Sequence, residues 1–144
     1  MIESWLGITA LVAIFIITLV CAMRWADIRH VLLVAFLVRA ALALIHYYIF
    51  PLPDSSADAV TFERVAWEWS REPLGLQFVD DYSYFISWLI AFFYRFTGRS
   101  PLLAQSLSVL FGTATVAAGW YLARELWGRR AAKKAAWAMT FIPT

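Results

Sequence analysis

Asp58 is the residue best placed to do chemistry. It falls in an acidic stretch that follows an apolar run closed by Pro51-Leu52-Pro53. A carboxylate just beyond a membrane exit could act as a general base or as a ligand for a divalent metal ion. The helix macrodipole would also favour it in the first turn of any helix, with no catalytic role. Asp54 has the same two readings, and its position beside Pro53 favours a turn. Asp80-Asp81 could be a metal-binding pair or the solvated start of the next helix, and neither acidic pair has the spacing of a calcium loop. Arg39 lies inside an apolar run, where a charge is costly and faces a partner or an aqueous cavity. It could contact a phosphate or carboxylate within the membrane, or belong to a structural ion pair. Arg64 stands four residues before Glu68, the spacing of a helical ion pair. No Ser/His/Asp order, glycine-rich phosphate loop or zinc spacing is present, and a lone Cys21 cannot form an internal disulfide.

The elements that must carry these residues follow from composition. Of 144 residues, 62% are hydrophobic and 15% charged, and the mean hydropathy is +0.69. Soluble domains run at about 45–50% apolar and about 25% charged. An ordinary soluble domain and a disordered chain are both excluded, and an integral membrane protein is expected. A net charge of +2 is too balanced to suggest nucleic acid as a partner. Eight Trp, eleven Phe and six Tyr suit bilayer interfaces.

Apolar runs at 4–23, 31–50 and 102–123 predict membrane-crossing helices, and another begins at 135. The first has no basic segment before it and is too long for a signal peptide. Between the second and third runs, residues 57–71 predict an amphipathic helix with Phe62, Val65, Ala66 and Trp69 on its apolar face. Such a helix is suited to the plane of the interface. Residues 82–96 are apolar and aromatic but too short to span comfortably. The fold expected is an all-α membrane bundle of three to four crossing helices, with an interfacial amphipathic helix and a short re-entrant or juxtamembrane helix.

Charge sets the expected orientation. Residues 54–81 hold seven of the ten acidic residues, whereas 124–134 is the most basic stretch. The positive-inside rule puts the 24–30 connector and 124–134 in the cytoplasm and the 51–81 loop outside. Helix 82–96 then must not cross.

The order of these features resembles the N-terminal part of GT-C fold glycosyltransferases, the bacterial relatives of the dolichyl-phosphate-mannose protein mannosyltransferases. The features are an internal Arg39, then Asp58-Ala59-Val60-Thr61-Phe62 on an external helix, and an aromatic short helix ending at Gly98. A crossing helix then leads into Ala123-Arg124-Glu125-Leu126-Trp127-Gly128-Arg129-Arg130-Ala131-Ala132, and Pro143 follows in the next helix. The resemblance covers residues 31–144; residues 1–30 are read as an extra N-terminal helix and connector. Where many relatives carry a basic residue before the short helix, this chain has Asp80-Asp81.

The resemblance implies sugar transfer from a polyprenyl-phosphate donor, outside a bacterial cytoplasmic membrane. Asp58 would then be the catalytic carboxylate, with a divalent metal ion possible beside it. Arg39 and Arg64 would be the cations facing the donor. Family enzymes are several times longer, so the module is expected to be incomplete at its C-terminus, and inactive alone. The competing expectation is a small non-catalytic subunit embedded in a larger membrane complex. Membrane lipid is an expected partner in both cases, together with other membrane subunits or further helices.

Overall fold

The computed structural model describes residues 2–50, 56–73, 75 and 84–142; for residues 2 and 56–58 the description is of the backbone. Asp54, Asp80, Asp81 and Pro143 lie outside the described residues, as does the side chain of Asp58. The elements are α1 (Ile2–Arg24), α2 (Arg29–Tyr48), α3 (Ser56–Ser70), α4 (Phe85–Thr97) and α5 (Pro101–Phe141). Among the described residues there is no strand. Helices α1, α2 and α5 are long and apolar enough to cross a membrane. The protein is an all-α membrane bundle.

The bundle has two well-defined ends. At one, Ser100 Oγ donates to the Glu3 carbonyl at 2.7 Å, and Ser4 Oγ lies 3.5 Å from Tyr47 Oη. At the other, Arg129 Nη2 meets Asp27 Oδ2 at 3.0 Å. The C-terminus of α2 and the N-terminus of α5 therefore share one end, and residues 51–100 make no net crossing. That end carries the acidic segment. The opposite end, formed by 24–30 and 124–134, holds seven Lys or Arg against two carboxylates.

Lipid is as apolar as leucine, so these helices gain little from hydrophobic burial against each other and depend on close packing of small residues. Ala35, Ala132 and Ala136 are fully buried with Val116, Trp120 and Leu32. A Cβ at Gly7 would run into the Leu102 side chain, and one at Gly119 into Sδ of Met139. Large apolar residues such as Ile16, Val20, Leu37 and Phe111 face outward, as lipid contact requires.

Helix α5 departs from the expected layout. Residues 124–134 were expected to connect two helices, but they are helical on both sides of Gly128. Gly128 has φ 82° and ψ 174°, a conformation open in practice only to glycine. It divides α5 into a first arm, 101–127, and a second, 129–141, that folds back on it. Ala132, Ala136 and Met139 consequently pack beside Ala123, Trp120 and Val116. Ile142 is extended, at φ −78° and ψ 121°, as the residue before a proline prefers.

Candidate functional site

Helices α3 and α4 pack mainly on each other and form a small module at the acidic end. Ala66 and Ala91, both fully buried, allow the close approach. Ser87 Oγ donates to the Phe62 carbonyl at 2.8 Å. Arg95 Nη1 donates to the Glu72 carbonyl at 2.7 Å, tying the end of α3 to the end of α4. The Tyr84 ring lies edge-on to Phe62 and Trp69, at 5.5 and 6.3 Å.

The centre of the module is Glu63. Its side chain is 12% exposed. Arg99 grips it from two nitrogens: Nε donates to Oε1 at 2.8 Å and Nη2 to Oε2 at 2.7 Å. Tyr94 Oη donates to Oε1 at 3.1 Å. Parallel bonds between a guanidinium and a carboxylate fix geometry as well as charge. The hydrogen bonds to Glu63 raise the Arg99 pKa. Burial, reinforced by the Glu63 charge, pushes the Tyr94 phenol well above its ordinary value. Tyr94 therefore remains a donor. Trp67 covers the cluster, with the Arg71 guanidinium 4.4 Å and that of Arg99 6.0 Å from its ring centre.

Local sequence delivers Arg99 to this place. Gly98, at φ 80° and ψ 176°, ends α4 and donates its N–H to the Tyr94 carbonyl at 2.8 Å. Ser100 caps α5 through the Leu103 N–H, and Pro101 supplies the first helical position. Ser100 is fully buried and also bonds Glu3. One turn thus joins the module to α1 and α5, with Arg99 projecting back under α3.

The inward face of α3 is broader than the expected apolar stripe. Ala66 is buried and Phe62, Val65 and Trp69 half-buried, as that stripe requires, and beside them Glu63 and Ser70 are buried and Trp67 is half-buried. The reason is the ion pair: once neutralised by Arg99, Glu63 can occupy a buried position that hydrophobicity alone would deny it. Sequence reasoning missed Glu63, Tyr94 and Arg99 as a cluster. The available signal was a lone arginine in a Gly-Arg-Ser-Pro turn facing a helix with a surplus of carboxylates.

The three expected site residues are distributed. Asp58 lies in the first turn of α3, five residues before Glu63. Arg64 is on the same helix and exposed. Arg39 is bound inside the bundle. Its Nη2 donates to the Met139 carbonyl at 3.0 Å and its Nη1 to that of Thr140 at 3.2 Å. These carbonyls belong to the last turn of the helix, where intrahelical donors run out. Pro143, lacking an N–H, could not supply one to Met139 four residues earlier. Arg39 thus caps the second arm of α5 through hydrogen bonds to backbone, with no carboxylate partner among the described residues, and its Nε is buried without a partner. Among the described residues no three His, Cys, Asp or Glu converge to hold a metal ion. No protein-family model, curated protein or solved structure matches the chain.

Proposed function

We propose that this chain is the front membrane module of a glycosyltransferase that takes a sugar from a polyprenyl-phosphate donor. Delivery to the acceptor occurs on the external face of a bacterial cytoplasmic membrane. One observation carries the reading. A crossing helix, a pair of short helices docked at a single end, and a returning crossing helix follow one another, with Asp58 in the first turn of the first short helix. That arrangement holds a carboxylate-bearing helix at the bilayer surface, where a lipid-linked sugar and a water-soluble acceptor can meet.

The chemistry assigned is an inverting displacement. Asp58 takes the proton of the acceptor hydroxyl as its oxygen attacks the anomeric carbon. The bond from that carbon to the phosphate oxygen breaks, and polyprenyl phosphate leaves with the electron pair. A cation lowers the cost of the charge developing on the phosphate. Arg64, exposed on the same helix as Asp58, is available for that task. Arg39, committed to the Met139 and Thr140 carbonyls, is assigned to holding the bundle that carries the site.

The test is sugar transfer in membrane vesicles by the longer protein or assembly that carries this module, supplied with a polyprenyl-phosphate-linked sugar; the 144 residues alone should show none. Asp58→Asn should lose a factor of about 10²–10⁴ in rate, the usual contribution of a positioned general base. Asp54→Asn is the control and should retain transfer. Near-normal transfer by both variants would overturn the assignment and favour the alternative of a non-catalytic subunit in a membrane complex.

A further inference from the structure

At the end opposite the α3–α4 module, a groove of about 520 Å³ runs between α1 and the first arm of α5. Its walls include Ile17, Cys21, Leu110 and Ala117, with Trp25 and Arg124 at the basic end. Two threonines line it as well, but their hydroxyls are already used within their own helices. Thr18 donates to the Ile14 carbonyl and Thr113 to that of Val109, both at 2.8 Å. Apart from Trp120 Nε1 and the Tyr121 hydroxyl near the basic end, the wall offered to an occupant is therefore apolar along its length, and it is cationic at that end.

Two observations identify what fits. The first is form: the wall is mainly apolar over about 21 Å of helix, from Leu110 to Arg124, a length that suits extended hydrocarbon chains. The second is charge. Ion pairs among the described residues are Glu63–Arg99 and Asp27–Arg129, so Arg124 has no carboxylate partner. Its guanidinium is exposed and stands 5.2 Å from the Trp120 ring centre. It sits amid the surplus of Lys and Arg at that end, where anionic headgroups are attracted.

We infer that this groove binds one anionic phospholipid from the leaflet at the basic end. The acyl chains lie between α1 and α5, and Arg124 receives the headgroup phosphate beside Trp25. The inference is independent of the glycosyltransferase reading, which concerns the other end.

The test is native mass spectrometry of the full chain, released from detergent after incubation with phosphatidylglycerol and phosphatidylcholine in competition. The wild type should retain one phosphatidylglycerol in preference. Arg124→Gln should cut that retention about fivefold, the effect of one basic residue at a membrane surface, and leave phosphatidylcholine nearly unchanged. Ala118→Phe, which puts a ring into the groove, should lower retention of both lipids. Because Arg124 is exposed, its variant decides the matter even if Ala118→Phe fails to fold. Alkylation of Cys21 by N-ethylmaleimide should be slower in nanodiscs containing phosphatidylglycerol than in phosphatidylcholine alone. Equal retention of the two lipids, an Arg124→Gln variant indistinguishable from wild type, or a second protein chain in place of the lipid would overturn the inference.

Discussion

Among the described residues each end of the bundle holds one ion pair, and the pairs differ in kind. Glu63–Arg99 is bidentate, with the carboxylate side chain 12% exposed. Asp27–Arg129 is a single contact at 3.0 Å, with side chains 32% and 68% exposed. Exposed pairs typically contribute about 0–1 kcal/mol. Breaking a buried pair costs about 3–5 kcal/mol, because a charge is left without a partner. The acidic end is thus fixed internally, with its short helices locked to the crossing helices. The basic end keeps its charges exposed, where they can face headgroups. One end is built to hold a geometry, the other to meet the membrane surface.

The sharpest way to break this contrast is Arg99→Gln. It leaves Glu63 buried with only Tyr94 as a partner. Since Arg99 is itself half-exposed, the expected cost is about 2–3 kcal/mol, below the fully buried limit. Limited proteolysis should then cut within α3, which the wild type protects. Glu63→Gln should cost less, because the orphaned Arg99 can turn to water. Next in size is Gly128→Ala, which places a Cβ in a conformation that costs non-glycine residues about 1–3 kcal/mol. It should loosen the second arm of α5 and lower the melting temperature without disturbing the α3–α4 module.

Tyr94→Phe should cost about 1 kcal/mol, one hydrogen bond out of three on Glu63. It also predicts a pH effect whose sign is fixed. The phenol pKa is raised on folding, so above about pH 10 the unfolded chain releases a proton that the folded chain keeps. Stability supplied by Tyr94 is complete below that pH and is lost as pH rises beyond it. A melting series should show a shallower alkaline decline for Tyr94→Phe than for wild type. The smallest effect belongs to the other end. Arg129→Ala should change stability by less than about 1 kcal/mol, and the change should shrink in high salt.

Much of this architecture is legible in the sequence because apolar run length and charge asymmetry act locally. The 57–71 helix predicted from periodicity is observed at Ser56–Ser70, and the turn at 97–101 ends one helix and caps the next. What escaped depends on long-range pairing. Glu63 reads as a surface carboxylate until Arg99, 36 residues away, is brought beneath it. The fold-back at Gly128 escaped for a related reason. A basic stretch reads as a connector, whereas one glycine reverses the chain and lets the charges stay on helix. The role of Arg39 needed the partner helix, since its acceptors are carbonyls 100 and 101 residues further on. Asp58 as a candidate rests on the resemblance and on its place at the start of α3.

The division of the bundle into two ends is tested most directly by cysteine labelling from one side of the membrane. Glu72→Cys and Arg130→Cys, each in a Cys21→Ser background, place single thiols at exposed positions of the acidic and basic ends. An impermeant maleimide added to intact cells should label Glu72→Cys at once and Arg130→Cys only after the membrane is opened. Labelling of both from the same side would contradict the arrangement, and with it the separation of the proposed external sugar-transfer site from the proposed inner-leaflet lipid groove.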